Sequence, residues 1–135
     1  MSISKAAQQN IMNLLRRCEF RKLCDTYFSD EFLWIIKGSS LLSGTYSDKE
    51  NFFETVIDPL SKLMLPNWKM HIVEKYVDGD TLIIEMRGEA KTKNGGNYNN
   101  EYCWIFKFEN GKVTSLTAYY DSLLVNKTLK ANHVY

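Results

Sequence analysis

Four side chains of this sequence have the types and places to do acid/base chemistry: Asp121, Arg87, Glu89 and His71. Asp121 closes the run Ala118-Tyr119-Tyr120-Asp121, at the end of a half-apolar strand and just before a short amphipathic segment. A carboxylate placed there beside an enclosed pocket can activate water or abstract a proton, once low dielectric and charged neighbours tune its pKa. Arg87 and Glu89 are two residues apart on a strand and so share a face. If that face is the pocket, Arg87 holds Asp121 ionised and Glu89 shares the water. His71 titrates near neutrality and is a second acid/base candidate. Plainer roles stand beside these. Arg87 and Glu89 also fit a surface ion pair on a solvated strand face. Asp121 also fits a strand-end cap, and His71 an ordinary hydrogen-bonded strand residue.

The walls of such a pocket would come from the aromatic residues, 13% of the chain. Trp34, Tyr46, Phe53, Trp104, Phe106 and Tyr119 are the candidates; core packing is the default for any one of them, whereas an aromatic pocket takes several together. The cysteines, Cys18, Cys24 and Cys103, are odd in number and lack paired-ligand spacing, and His71 and His133 lie far apart. No metal and no cofactor is expected from this set, and reduced thiols in a cytoplasmic protein are. Cys103 has no histidine near it in sequence to make it a nucleophile. Gly95-Gly96 lacks the strand-to-helix setting of a phosphate loop and is read as a turn.

At 135 residues, with 44% hydrophobic and 24% charged side chains, residues 1–135 form one ordinary globular domain. Its 17 basic and 16 acidic side chains show no basic stripe, which argues against a nucleic-acid partner. The densest cationic run, Arg16-Arg17 with Arg21-Lys22, is interrupted by Glu19 and fits a solvated helix face. No apolar run approaches the roughly 18 residues of a membrane span, so no membrane partner is expected. The segment Met1-Ser2-Ile3-Ser4-Lys5 lacks the apolar centre of a signal peptide.

The elements that must position the candidates follow from two hydrophobic periods. Ser4 can cap a helix over residues 5–17 with Ile11, Met12, Leu14 and Leu15 as its apolar stripe, and Phe20, Leu23, Cys24 and Tyr27 mark a second over 20–27. Ser29-Asp30 is read as its end, and residues 32–37 as the first strand. Ser43-Gly44-Thr45 reads as a loop. Ser47, with Glu50 three residues on, opens a capping box for a third helix over 48–65, perturbed by Pro59. From Lys69 the period becomes two, with Met70, Ile72 and Glu74 on one face and His71, Val73 and Lys75 on the other. Asp78-Gly79-Asp80, Asn94-Gly95-Gly96-Asn97 and Asn110-Gly111 are turns leading into strands over 82–91, 98–109 and 113–121. Three helices followed by a mostly antiparallel meander is an α+β order, in which a curved sheet can wrap the helices and leave a cavity between.

In that order, Tyr27-Phe28-Ser29-Asp30-Glu31-Phe32, Leu42-Ser43-Gly44-Thr45-Tyr46, Asn110-Gly111-Lys112-Val113 and Ala118-Tyr119-Tyr120-Asp121 resemble the SnoaL-like branch of the nuclear transport factor 2-like superfamily over residues 4–129. The resemblance implies a cone-shaped fold with a hydrophobic pocket, and commonly a homodimer formed through the sheet. It does not settle function, since such folds include steroid isomerases, polyketide cyclases, epoxide hydrolases, dehydratases and non-catalytic binders. The catalytic positions of ketosteroid isomerase fall on Ile11, near Trp34-Ile35-Ile36 and near Cys103, none of which carries the required group. The last-strand aspartate of the polyketide cyclases matches Asp121. The Arg-x-Asp pair of limonene epoxide hydrolase-like members falls near Arg87-Gly88-Glu89, with Glu in place of Asp. The expectation is therefore a small-molecule pocket protein taking a small apolar or polycyclic molecule. It acts either as a cofactor-free acid/base enzyme (isomerase, cyclase or epoxide-hydrolase-like) or as a non-catalytic ligand-binding or dimeric interaction module.

Overall fold

The computed structural model describes residues 3–133. Its elements are α1 (Lys5–Arg16), α2 (Phe20–Tyr27), β1 (Phe28–Ile36), β2 (Gly44–Tyr46), α3 (Lys49–Phe52), α4 (Asp58–Leu63), β3 (Lys69–Asp78), β4 (Thr81–Glu89), β5 (Glu101–Glu109), β6 (Lys112–Tyr120) and α5 (Ser122–Ala131). One turn of π-helix, Phe53–Ile57, joins α3 to α4. The strands form one curved sheet in the order β2-β1-β6-β5-β4-β3; β1 runs parallel to β6 and every other pair is antiparallel. Helix α1 packs on β3 and α2, and α2 on β1. This is the α+β architecture that the change of period predicts.

Local chemistry explains most element ends. Ser4 Oγ accepts from the Ala7 N–H at 3.1 Å, and the stripe of Ile11, Leu14 and Leu15 is buried. Asp48 rather than Ser47 caps the third helix, accepting from the Glu50 and Asn51 N–H groups. The helix expected over 48–65 with a perturbation at Pro59 is one helical run over 49–63 whose middle turn is π-helical. Pro59 has no N–H to donate, and its ring crowds the carbonyl four residues back. The π turn upstream, where the Asp58 N–H reaches five residues back to the Phe53 carbonyl, widens the spiral and relieves that crowding. Strand β1 begins at Phe28, not at Phe32: Ser29-Asp30 lies inside it, and the Phe28 and Phe32 rings meet edge-to-face at 5.3 Å. The segment read as a loop at Gly44 is the short strand β2, with Tyr46 opposite Trp34. Asn110 and Gly111 both take positive φ, +52° and +77°, as a two-residue hairpin between Glu109 and Lys112 requires.

Two irregularities decide which side chains face inward. On β3 the register with β4 slips between Ile72 and Glu74, leaving Val73 as an extra residue. The bulge turns Glu74 outward with His71 and Lys75 inward with Ile72, reversing the faces expected for Glu74 and Lys75. Lys75 Nζ then reaches Gln8 Oε1 of α1 at 2.6 Å. On β6 the register with β5 slips at Thr114, between the pairs Phe108–Val113 and Lys107–Ser115. Beyond it Leu116, Ala118 and Tyr120 face inward, with Trp34, Trp104 and Phe106 beside them. An aromatic cluster fills this inner face: Trp34 stacks on Phe52 at 4.1 Å and meets Trp104 edge-to-face at 5.3 Å.

Candidate functional site

The inner faces of β1, β5 and β6 meet Phe20 of α2, the π turn and Trp68 around a cavity of about 50 Å³. All three tryptophans of the chain, Trp34, Trp68 and Trp104, line it. Phe20 spans two of them, its ring 5.9 Å from Trp104 and 6.0 Å from Trp68. The junction of α3 with the π turn sorts two adjacent phenylalanines. Phe52 lines the cavity, while Phe53 turns to an outer groove of about 310 Å³ under the Arg21 guanidinium, 4.3 Å from the ring centre. That groove shares Phe20 and Ile57 with the cavity, so two side chains separate the cavity from solvent there. A space this size takes a group of a few heavy atoms, and a polycycle enters only if the walls move.

Tyrosines form the polar end. Tyr98, Tyr102 and Tyr120 line the cavity, none of which the sequence singled out. The Tyr120 hydroxyl bonds Ser40 Oγ at 2.7 Å, and burial pushes it up to about 12, the Ser40 contact acting the other way. Burial raises Tyr98, and raises Tyr102 well above the ordinary phenol value, so both stay protonated donors at neutral pH. Fully buried Asn100 orders this end. Its Oδ1 accepts from the Glu101 and Asp121 N–H groups at 2.7 and 2.9 Å, and its Nδ2 donates to the Tyr98 hydroxyl at 3.4 Å and the Asp121 carbonyl at 3.3 Å. Gly88 makes room beside it: a Cβ there would stand 3.3 Å from the Tyr102 ring and 3.5 Å from the Asn100 carbonyl oxygen. Trp104 Nε1 is buried and has no hydrogen-bond partner among the described residues.

The candidates for catalysis stand elsewhere. His71 lies opposite Arg87 in the β3–β4 register, and its Nε2 is 2.8 Å from Glu89 Oε1, with Lys69 Nζ 3.9 Å from the other oxygen. The His71 hydrogen bond, then Lys69 and Arg87, hold the Glu89 carboxyl below its ordinary value. The structure thus brings His71, Arg87 and Glu89 together, but on the outer face of the sheet; between Arg87 and Glu89 it is Gly88 that faces in. Asp121 is exposed and caps α5, its Oδ1 accepting from the Leu123 and Leu124 N–H groups at 3.1 and 3.2 Å. It borders a shallow outer groove of about 490 Å³ that shares Tyr102 and Tyr120 with the cavity, one side-chain layer away. Of the six expected wall residues, Trp34 and Trp104 line the cavity. Phe106 is buried core, Tyr46 packs on Phe52 at 5.3 Å, Phe53 faces the Arg21 groove, and Tyr119 is exposed on the outer face. Once Trp104 is placed inward, alternation along β5 predicts Tyr102 with it; nothing in the sequence marks the Thr114 bulge that brings in Tyr120 instead of Tyr119. Among the described residues, no group of three or more His, Cys, Asp or Glu side chains comes together as a metal site.

A curved α+β sheet closed by helices over an apolar cavity is the expected architecture, and the family model for the SnoaL-like domain matches residues 12–116. The chain belongs to the SnoaL-like family. Solved structures agree on the fold of this SnoaL-like domain. A candidate SnoaL-like polyketide cyclase from Jannaschia sp. CCS1 superposes with a TM-score of 0.72 at 13% identity, covering 91% of this chain and 90% of that one. A candidate isomerase from Rhodopseudomonas palustris gives 0.66 at 15% identity, covering 92% and 93%. A nuclear transport factor 2-like protein of unknown function from Cytophaga hutchinsonii ATCC 33406 gives 0.66 at 17%, covering 87% and 98%. At these identities the likeness is one of fold alone. No match is found among curated proteins.

Proposed function

We propose that this SnoaL-like domain is a small-molecule pocket protein whose aromatic cavity binds a small, largely apolar, uncharged ligand without catalysis. One observation carries this: the cavity is lined by apolar and aromatic side chains, and its only ionisable groups are tyrosines that burial keeps protonated. An uncharged site of this kind cannot offset the desolvation of an ionised ligand, whereas it gains from every apolar atom it covers. The three tryptophans in the wall make binding visible as a change in intrinsic fluorescence. Small cyclic hydrocarbons and ketones are expected to change that fluorescence saturably, and Ala118→Val, which adds two methyl groups at the cavity wall, to abolish the change. Saturable binding of equal strength in Ala118→Val would overturn the assignment.

Asp121 supports a second reading, acid/base catalysis, because its groove and the cavity share Tyr102 and Tyr120. Asp121 would be the base, with a protonated tyrosine as the acid and Arg87, Glu89 and His71 further out. Turnover of activated epoxides or enolisable ketones that falls at least tenfold in Asp121→Asn would favour it. Turnover that is absent, or unchanged by the substitution, leaves the binding function standing. A homodimer through the outer sheet face belongs to the same proposal: Leu33, Tyr76 and Tyr119 are exposed there, around half-buried Ile35, Ile83 and Ile105. Sedimentation equilibrium should give twice the chain mass, and Ile105→Glu half of that; a strict monomer refutes it. Three free thiols, with Cys18 and Cys24 pushed up to about 12 by burial, suit a reducing compartment such as the cytoplasm. Among the described residues no helix is long and apolar enough to cross a membrane.

A further inference from the structure

We infer that the ligand carries a neutral hydrogen-bond acceptor, a carbonyl oxygen, that is received by the Trp104 indole N–H and a tyrosine hydroxyl, making Trp104 the residue that sets specificity. This rests on the pocket function above and names the class of molecule the pocket selects.

The first observation is the indole itself. Trp104 is 5% exposed, it lines the cavity, and its Nε1 has no partner among the described residues. Buried donors almost always find an acceptor, and an indole nitrogen only donates, so the group that completes this site must accept. Trp104 packs against Trp34, Phe20, Tyr102 and Phe106 rings, which fix the indole plane and leave it little freedom to turn toward the backbone.

A proton count at the polar end gives the second donor. Tyr98 and Tyr102 hold two hydroxyl protons between them, of which at most one can go to the other's oxygen. Asn100 cannot accept the other. Its Oδ1 is occupied by the Glu101 and Asp121 N–H groups, which fixes the amide so that Nδ2, a donor, faces Tyr98. One hydroxyl proton of the pair therefore has no acceptor among its protein contacts. Tyr120 is bonded to Ser40 rather than to either of these hydroxyls. The residues that line the cavity thus hold two donors that lack an acceptor among the described residues. A carbonyl oxygen has two lone pairs and can take both. A carboxylate would instead enter an uncharged site without a cation to pair with it.

Acetone and isobutene test this, since both are of the few-heavy-atom size the cavity takes and they differ only by oxygen against methylene on the same carbon frame. In wild-type protein the ketone should bind about tenfold tighter than the hydrocarbon, because the hydrocarbon leaves both donors unpaired. The Trp104 indole proton resonance, assigned in wild type from its through-space contacts with the neighbouring Tyr102 and Phe106 rings, should move downfield with the ketone and hardly move with the hydrocarbon. In Trp104→Phe the preference should fall to within about threefold of unity while hydrocarbon binding persists. Equal binding of the two by wild type, or ketone binding with a still indole resonance, overturns the inference and leaves the pocket function intact. Failure of both molecules to bind overturns the pocket function and the inference with it. The resonance shift is read on wild type, so it decides the matter even if Trp104→Phe does not fold.

Discussion

Asp121 is where a helix cap and a pocket base make opposite demands, and substitution separates them. Its Oδ1 accepts two N–H groups at the start of α5, from Leu123 at 3.1 Å and Leu124 at 3.2 Å. In Asp121→Ala those donors turn to water, which is within reach because Asp121 is exposed. Losing a helix cap of this kind costs about 1 kcal/mol, within a range of roughly 0.5–2. The favourable charge at the positive end of the helix goes with it, about 0.5 kcal/mol more at low salt. For a chain of 135 residues a loss of 1 kcal/mol lowers Tm by about 4 °C, so Asp121→Ala should melt about 4–6 °C below wild type. Asp121→Asn keeps an acceptor that caps nearly as well and loses only the charge term, a fall of about 2 °C that shrinks with added salt. Paired thermal melts by circular dichroism at low and high salt measure all of this. A carboxylate held in an apolar pocket for catalysis would behave the other way, with Asp121→Asn raising Tm. Such a rise, or an unchanged Tm in Asp121→Ala, would refute the cap.

Asn100 should matter more than Asp121, because its side chain bonds both backbone groups of Asp121 and the Glu101 N–H from a fully buried position. Asn100→Ala strands these groups and should destabilise by about 2–4 kcal/mol in urea unfolding; a loss below about 1 kcal/mol would mean that water replaces the amide. The tyrosines predict a lag on alkaline titration. Tyr98, Tyr102 and Tyr120 have native values raised above the unfolded one, so the native state keeps protons that the unfolded chain gives up. The stability they contribute is complete below about pH 10 and is lost as pH rises through their native values. Ultraviolet titration should show these three ionising late in native protein and with the rest in denaturant; one uniform native transition near pH 10 would contradict the polar end described above. Glu89 gives the acid-side counterpart. Its native value is lowered, so its contribution is present above about pH 4.3 and is lost as pH falls through the native value. The stability gap between wild type and Glu89→Gln should close on acidification, and a gap that widens instead would show that His71 and Lys69 do not stabilise the carboxylate. Gly111→Ala should cost about 1 kcal/mol, since Gly111 holds φ at +77° in the Asn110-Gly111 hairpin; an unchanged melt would show that the turn relaxes.

The order of helices and strands was legible because each element carries its own signal. Helical spacing marked α1 and α2, Asn110-Gly111 marked a turn that only positive φ can make, and the change of period at Lys69 marked the start of the meander. The aromatic richness that suggested a pocket is real, and two of its six expected wall residues, Trp34 and Trp104, line the cavity. The other four missed for different reasons. Phe53 is buried under Arg21, beside the outer groove rather than the cavity, while Tyr46 and Phe106 point inward but are spent on packing.

What the sequence by itself determined was the α+β class, the hairpin turns and the alternation within each strand, all consequences of neighbouring residues along the chain. The tertiary structure decided the faces. Counting by twos from Val113 puts Tyr119 and Asp121 inside; the one extra residue at Thr114 shifts the register, so Tyr120 lines the cavity while Tyr119 faces out and Asp121 caps a helix. The Val73 bulge does the same to Glu74 and Lys75. A strand has period two, so a single inserted residue exchanges every side chain beyond it. Where that residue falls depends on how the whole sheet curves around its helices, a property no local stretch of sequence contains.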